Sequence, residues 1–124
     1  MKFSREELKA VTHLAMLMIA VDEKIEEVEK FILFSQVLNE VGNFDEVETI
    51  IEEAEKFDLL TAIEIVKTFS YTDKKYVAAY LGYLIAIDGN IDQREMELWH
   101  LITKACDLPI MSVDDAIGYC QTNN

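Results

Sequence analysis

Four carboxylates at a repeated spacing are the residues of this sequence best suited to chemistry. Asp22 and Glu29 recur as Asp88 and Glu95, each 66 positions after its counterpart. The surrounding residues match as well, because Ile-Ala-Val-Asp-Glu-Lys-Ile in the first copy corresponds to Ile-Ala-Ile-Asp-Gly-Asn-Ile in the second. Hard divalent cations such as Ca²⁺ prefer carboxylate oxygens, so the repeated pair is a candidate metal site. If the two copies pack about a pseudo-twofold axis near these turns, the four carboxylates converge.

Each copy also contains the pattern Asp-x-x-Ile-x-x-x-Glu, which reproduces the later half of an EF-hand calcium loop. The positions that would supply the first loop carboxylates hold Met18 and Ala20 in one copy, and Leu84 and Ala86 in the other. None of these side chains can bind calcium. The pattern therefore does not predict an EF-hand.

An architectural interpretation of the repeat competes with the cation site. In it, the two Asp are turn residues, Ile25 and Ile91 fill the core, and the two Glu lie in the first turns of helices. It does not explain why an Asp follows a helix C-terminus, where the macrodipole disfavours a negative charge by about 0.3–1 kcal/mol. The amides of the following helix or a bound cation could offset that charge, so both interpretations stay open.

The hydrophobic periodicity predicts an all-α fold of seven helices in a single domain, residues 1–124. Four Gly and one Pro are too few for a sheet joined by many tight turns. The first and fifth helices are apolar on most sides, which predicts that they form the central pair of two related helical hairpins. The predicted helices lie between Ser4 and Val21, Ile25 and Gly42, Asp45 and Phe57, Asp58 and Phe69, Thr72 and Ile87, Asp92 and Cys106, and Ser112 and Cys120.

Charge and composition limit the classes of molecule that this protein is expected to bind. The formal net charge of −13 repels phosphate backbones and anionic lipids, so we expect neither nucleic-acid binding nor direct membrane insertion. The same charge suits a basic protein partner, a metal cation, or simple solubility. The apolar run from Leu14 to Val21 is shorter than the ~20 residues of a transmembrane helix, and we expect a cytoplasmic protein. Cys106 and Cys120 lack metal-ligand or redox spacing, which predicts reduced thiols.

Catalytic patterns are missing from the sequence. It contains no nucleophile elbow, P-loop, zinc-protease motif or dinucleotide fingerprint, so we expect no enzyme. His13 and His100 have no second histidine at ligand spacing and are interpreted as residues at the edge of the core. Tyr76, Tyr80 and Tyr83 fit either core packing or an interface, and core packing is favoured because their helix carries many aliphatic residues.

The repeated hairpin resembles the tellurite-resistance TerB family. The resemblance rests on Ala-Ile-Asp-Gly-Asn-Ile-Asp-Gln-Arg-Glu in the second copy and on its recurrence at a matching helical position, and it spans about Leu8 to Pro109. It implies a compact all-helical cytoplasmic domain with an acidic surface, a link to stress responses, and cation binding by the four repeated carboxylates. Glu23 and Lys24 depart from the Gly and small polar residue that are usual in the family.

Two functional hypotheses follow from these observations. The first is a non-enzymatic, stress-related interaction module that binds a divalent cation such as Ca²⁺ through Asp22, Glu29, Asp88 and Glu95. The alternative is an acidic adaptor or scaffold that binds a basic or membrane-complex protein partner without metal. The first predicts that a divalent ion stabilises the fold, and the second predicts indifference to metal and salt-sensitive partner binding.

Overall fold

The computed structural model describes residues 3–21, 27–87 and 91–122. Over these ranges the chain forms seven α-helices and no strand, which confirms the predicted fold class. Within them, no helix is both long enough and apolar enough to cross a bilayer. The helices are α1 (Arg5–Ala20), α2 (Glu27–Val41), α3 (Phe44–Glu55), α4 (Leu59–Lys67), α5 (Tyr71–Ala86), α6 (Gln93–Ala105) and α7 (Val113–Thr122).

The internal repeat extends well beyond the acidic motif. Helices α1 and α5 both have 16 residues, and their N-caps Ser4 and Ser70 are 66 positions apart. Helices α2 and α6 also begin 66 positions apart, at Glu27 and Gln93. In the first half α1 packs against α2 and α3, and in the second half α5 packs against α6 and α7. The repeating unit is therefore three helices long, and α4 connects the two units.

The two units meet through a pair of counterpart residues. The rings of Phe3 and Phe69, again 66 positions apart, stack with their centroids 5.2 Å apart. Both rings are buried, and each directly precedes the N-cap of its helix. Two equivalent residues therefore contact each other where the N-terminal ends of α1 and α5 meet.

Helices α1 and α5 form the centre of the core, as their apolar composition predicts. Helix α1 contacts α2, α3, α4, α5 and α6, and α5 contacts α1, α6 and α7. Each carries eight buried residues, which is more than any other helix. Trp99 of α6 holds that helix against α5, because its Nε1 donates a hydrogen bond to the Ala78 carbonyl oxygen at 3.1 Å.

Two of the predicted helix starts are wrong by two residues. Asn43 rather than Asp45 caps α3, and Ser70 rather than Thr72 caps α5. In each case the side-chain oxygen accepts a hydrogen bond at 3.2 Å from the amide three residues later. A cap needs extended backbone just before the first helical residue, and the predicted Asp and Thr already lie inside the first turn.

Other predicted boundaries agree with the structure. Ser4 and Glu7 form a complete capping box, and Gly42 adopts φ +77°, the left-handed conformation that ends α2. Asp58 is the N-cap of α4 but its side chain makes no capping hydrogen bond. Helix α4 ends at Lys67, before the predicted Phe69, whose ring packs on Phe3.

Gly82 on α5 provides a test of the core of the second unit. A Cβ atom at this position would lie 2.6 Å from Trp99 Cζ2 and 2.8 Å from Ala116 Cβ. We therefore expect Gly82→Ala to destabilise the domain by about 1–3 kcal/mol, since overpacking outweighs the gain in helix propensity. The free energy of unfolding is measured by urea denaturation.

Gly118 on α7 is the matched control, because a Cβ built there has no atom within 4 Å. Gly118→Ala should leave stability unchanged or raise it by up to about 1 kcal/mol. Equal free energies of unfolding for the two variants would contradict the packing described here.

Candidate functional site

Two of the four predicted site carboxylates lie in the described ranges, and both are buried. Glu29 and Glu95 each expose 2% of their surface. Each is the third residue of its helix, so both lie in first turns, as predicted. Both take part in interactions within the domain. Asp22 and Asp88 lie outside the described residues, so their part of the predicted site stays a prediction.

Burial of a glutamate at the same position of both units is energetically costly. Glutamate is almost never fully buried unless it is paired, because the effective penalty for desolvating one carboxylate is several kcal/mol. The positive end of the helix dipole returns about 0.3–1 kcal/mol, or up to ~2 in a partly buried setting. The dipole alone therefore does not offset the penalty. The interactions that Glu29 and Glu95 make within the domain must offset the remaining desolvation penalty, once in each unit.

The antiparallel packing of α1 and α2 places Glu29 far from the stacked phenylalanine rings. The Phe3 amide donates a hydrogen bond to Glu40 Oε1 at 3.0 Å, which holds the C-terminal end of α2 beside the start of α1. Glu29 lies eleven residues before Glu40, or about 16 Å along the helix. It is therefore at the end of the α1–α2 hairpin where α1 finishes.

The second unit repeats this arrangement with different residues. Lys74 Nζ, near the start of α5, lies 3.5 Å from Asp107 Oδ2, just after α6 ends. Glu95 is in the first turn of α6 and is therefore at the opposite end of the α5–α6 hairpin. In both units the buried glutamate thus lies where the central helix ends and the acidic motif begins.

The structure confirms the predicted start of α6 at Asp92 but does not place Ile91 in the core. Asp92 Oδ1 accepts a hydrogen bond from the Arg94 amide at 2.7 Å, and the Arg94 guanidinium contacts the other oxygen at 3.4 Å. The hydrogen bonds from the Arg94 side chain and amide lower the pKa of Asp92, which is therefore an ionised N-cap. Ile91 is 61% exposed, so its predicted role in the core is wrong. It precedes the N-cap and lies outside α6, so it cannot share the core-facing side of that helix. Ile25 lies outside the described residues.

Residues 3–21, 27–87 and 91–122 contain no group of three or more His, Cys, Asp or Glu side chains that could hold a metal ion. The predicted cation site needs Asp22 and Asp88, which are not in those ranges. It therefore remains a hypothesis that rests on the sequence repeat and on the two buried glutamates.

Both histidines pack against other residues. His13 Nδ1 lies 2.9 Å from the Ala54 carbonyl oxygen, and because a carbonyl only accepts, Nδ1 carries the proton and donates. This hydrogen bond ties α1 to the end of α3. The ring of His100 stacks on Trp99 at 6.1 Å and is exposed to solvent on α6. His13 thus lies at the edge of the core, as predicted. His100 is exposed instead, so it does not occupy the predicted position.

The three tyrosines of α5 divide between the core and a shallow depression. Tyr80 is 4% exposed, and burial raises the pKa of its hydroxyl well above the usual value. Burial also raises the pKa of Tyr76, whose hydroxyl accepts a hydrogen bond from Gln36 Nε2 at 3.2 Å. With Tyr83 they line a depression of about 210 Å³ between α2 and α5. The predicted core packing is therefore correct for Tyr80, which is buried, and only partly correct for Tyr76 and Tyr83, which are half-buried.

An apolar groove between α1, α2 and α3 is a surface that the sequence reading missed. It has a volume of about 370 Å³, and Ile19, Phe34 and Ile51 are among its lining residues, one from each helix. Phe31 and Phe44, beside it, are 67% and 68% exposed. The available signal was the run Phe-Ile-Leu-Phe from position 31, which places apolar residues on more sides of α2 than the core can cover.

The fold and the 66-residue repeat define an all-α protein in which α4 joins two three-helix units. No protein-family model matches the sequence, and no curated protein matches it. Among solved structures, the crystal structure of PG1108 from Porphyromonas gingivalis W83, a protein of unknown function, is similar, with 33% sequence identity and a TM-score of 0.84. The match covers 98% of this chain and 92% of that chain. The chain therefore belongs to the same family as PG1108.

The two cysteines lead to a prediction about thiol reactivity. Cys106 is buried, Cys120 is half-buried, and both are free. Burial raises the pKa of each thiol to about 11. Only the thiolate is a nucleophile, and at pH 8 such a thiol is about 0.1% ionised. We expect modification by dithionitrobenzoate, followed by absorbance, to be about a hundredfold slower in the native protein than in guanidinium chloride. Equal rates in the two states would contradict the described burial.

Proposed function

We propose that this domain is a non-enzymatic, stress-related interaction module of the TerB-like type, and that it binds a divalent cation such as Ca²⁺. The proposed ligands are Asp22, Glu29, Asp88 and Glu95. The observation that carries the proposal is the burial of Glu29 and Glu95, each 2% exposed, at the same position in both units. A costly feature that occurs twice at equivalent positions suits a shared functional requirement.

The chemistry of the repeat supports an oxygen-binding cation rather than a soft metal. The motif supplies carboxylates and no Cys or His, and Ca²⁺ and Mg²⁺ prefer oxygen ligands whereas structural zinc sites use thiolate and imidazole. A bound cation also adds positive charge where two carboxylates have been removed from water. The net charge of −13 raises the local concentration of cations around the domain.

The state of the Cys and His side chains, which are residue types that often perform catalysis, is also consistent with a binding role. The thiols of Cys106 and Cys120 are held in their neutral form by burial. The imidazole of His13 is engaged by the Ala54 carbonyl oxygen. These groups are used for packing, which supports an interaction module over an enzyme.

The test is thermal unfolding of the chelator-treated protein with added Ca²⁺, Mg²⁺ or Zn²⁺. At a free ion concentration of ~100 times the dissociation constant, binding stabilises the native state by about 2.7 kcal/mol, which raises the melting temperature by several degrees. We expect Ca²⁺ or Mg²⁺ to produce this rise. Asp22→Asn with Asp88→Asn, and Glu29→Gln with Glu95→Gln, should each abolish it.

The matched control changes the charge by the same amount elsewhere. Glu48 and Asp114 are exposed acidic residues that also lie 66 positions apart. Glu48→Gln with Asp114→Asn should therefore keep the full response to the ion. The cation hypothesis is refuted if no ion raises the melting temperature, or if the Asp22 and Asp88 variant responds like the parent protein.

The second candidate function is an acidic adaptor or scaffold that binds a basic or membrane-complex protein partner without metal. A specific observation favours it. Glu48, Glu52 and Glu55 form no ion pair within the described part of the chain, whereas Glu46 and Glu53 on the same helix pair with Arg5. Charges that no internal partner neutralises are available to a basic protein.

A further inference from the structure

We propose that the groove between α1, α2 and α3 binds a basic amphipathic helix of a partner protein, with an aromatic side chain as its central anchor. The groove is lined by Met16, Ile19, Leu33, Phe34 and Ile51, among others. The proposal rests on the role of the domain as an interaction module, and it names the surface and the partner chemistry. It requires no bound cation.

Large aromatic side chains beside the groove are left in water. Phe31 is 67% exposed and lies with Phe34 in a second depression that adjoins the groove. Phe44 is 68% exposed, and its ring lies 5.8 Å from that of Phe34. The apolar surface thus continues from the groove floor to both sides. A continuous exposed apolar patch with polar surroundings marks an interaction site.

The second unit indicates what kind of side chain fits this place in the fold. Trp99 is the counterpart of Leu33, and Gly82 is the counterpart of Met16. The Trp99 indole is 2% exposed and packs so closely on Gly82 that a Cβ there would be 2.6 Å away. The second unit therefore packs an aromatic ring of its own between its helices. In the first unit the smaller Leu33 and the flexible Met16 replace this pair and line an open groove, and the adaptable Met16 side chain can make room for an aromatic anchor from another protein.

The charge around the groove selects a basic partner. Phe44, Glu48, Ile51 and Glu55 are spaced by four, three and four residues, so they share one face of α3. Glu55 lines the groove, and both of these glutamates are exposed. Lys30 also lines the groove, and its ammonium group lies 3.5 Å from Glu27 Oε1, so its positive charge is paired. A helix with Lys or Arg beside its apolar face would meet acidic side chains on α3.

A helix is the partner shape that suits a groove walled by three helices. Peptide helices dock by laying apolar residues at i, i+3, i+4 and i+7 into such grooves. A second copy of this chain is disfavoured, because it would bring a further net charge of −13 against the same acidic side chains. An anionic membrane is disfavoured for the same reason.

The experiment uses the full chain and a synthetic amphipathic helix that carries Leu and one central Trp on its apolar face and Lys on its polar face. Binding is followed by fluorescence anisotropy of the labelled peptide. We expect the Lys peptide to bind and the dissociation constant to rise with ionic strength. Replacing Trp by Ala should weaken binding about tenfold, and a peptide with Glu in place of Lys should not bind.

Substitutions in the protein locate the site. Phe31→Ala and Glu55→Lys should each weaken binding about tenfold. Leu101→Ala is the matched apolar control, because Leu101 is 66% exposed on α6. Glu64→Lys is the matched charge control, because Glu64 is exposed on α4. Both controls should keep the parent dissociation constant, and all four variants should keep the parent melting temperature within a few degrees.

Several outcomes would overturn the proposal. The groove is not the site if the controls weaken binding as much as Phe31→Ala, and the partner is not basic if the Glu peptide binds as tightly as the Lys peptide. If the Lys peptide does not bind and the protein instead self-associates until Phe31 is replaced, the occupant is a second copy. Binding of the peptide without any thermal response to metal would support the groove and refute the cation site. A thermal response without peptide binding would do the reverse.

Discussion

Helices α1 and α5 form the centre of the domain, and the other helices pack around them. These two helices are apolar on most sides, and only a position inside the domain satisfies such a surface. The stacked rings of Phe3 and Phe69 fix how their N-terminal ends meet. The other five helices then cover the remaining apolar faces. The two buried glutamates lie near the C-terminal ends of the central helices, and the groove lies along the side of α1.

Much of the fold could be predicted from hydrophobic periodicity and capping residues, because both are local. Seven helices, the Ser4 capping box and the Gly42 terminator follow from spacing alone. The starts of α3 and α5 do not follow from spacing, because several residues near each start can serve as a cap and the choice depends on where the preceding turn ends. Ile91 illustrates a different limit. An apolar residue between two helices has no periodicity to assign it to a face, and here it lies exposed.

The candidate site was predictable in part for the same reason. The repeat indicates which residues are equivalent, and the burial of Glu29 and Glu95 agrees with that equivalence. The groove is a property of the folded surface, because it depends on how far α1, α2 and α3 stand apart. The two units match in their buried glutamates and differ in their apolar packing, with Leu33 in one and Trp99 in the other. The buried glutamates therefore favour a function that both units share, whereas the groove favours a function of the first unit alone.

The position of Phe3 also bears on how the chain acquires its structure. Its ring contacts Phe69 and Tyr76, and its amide contacts Glu40, so its partners are spread across more than half of the chain. Helices α2, α3 and α4 cover part of α1, but its contact with α5 and the stack of Phe3 on Phe69 cannot form until α5 exists. During synthesis the face of α1 that meets α5 is therefore exposed to water until α5 has been made. Each unit thus covers most of its own central helix, and the face that the two central helices share is buried only when both units are present.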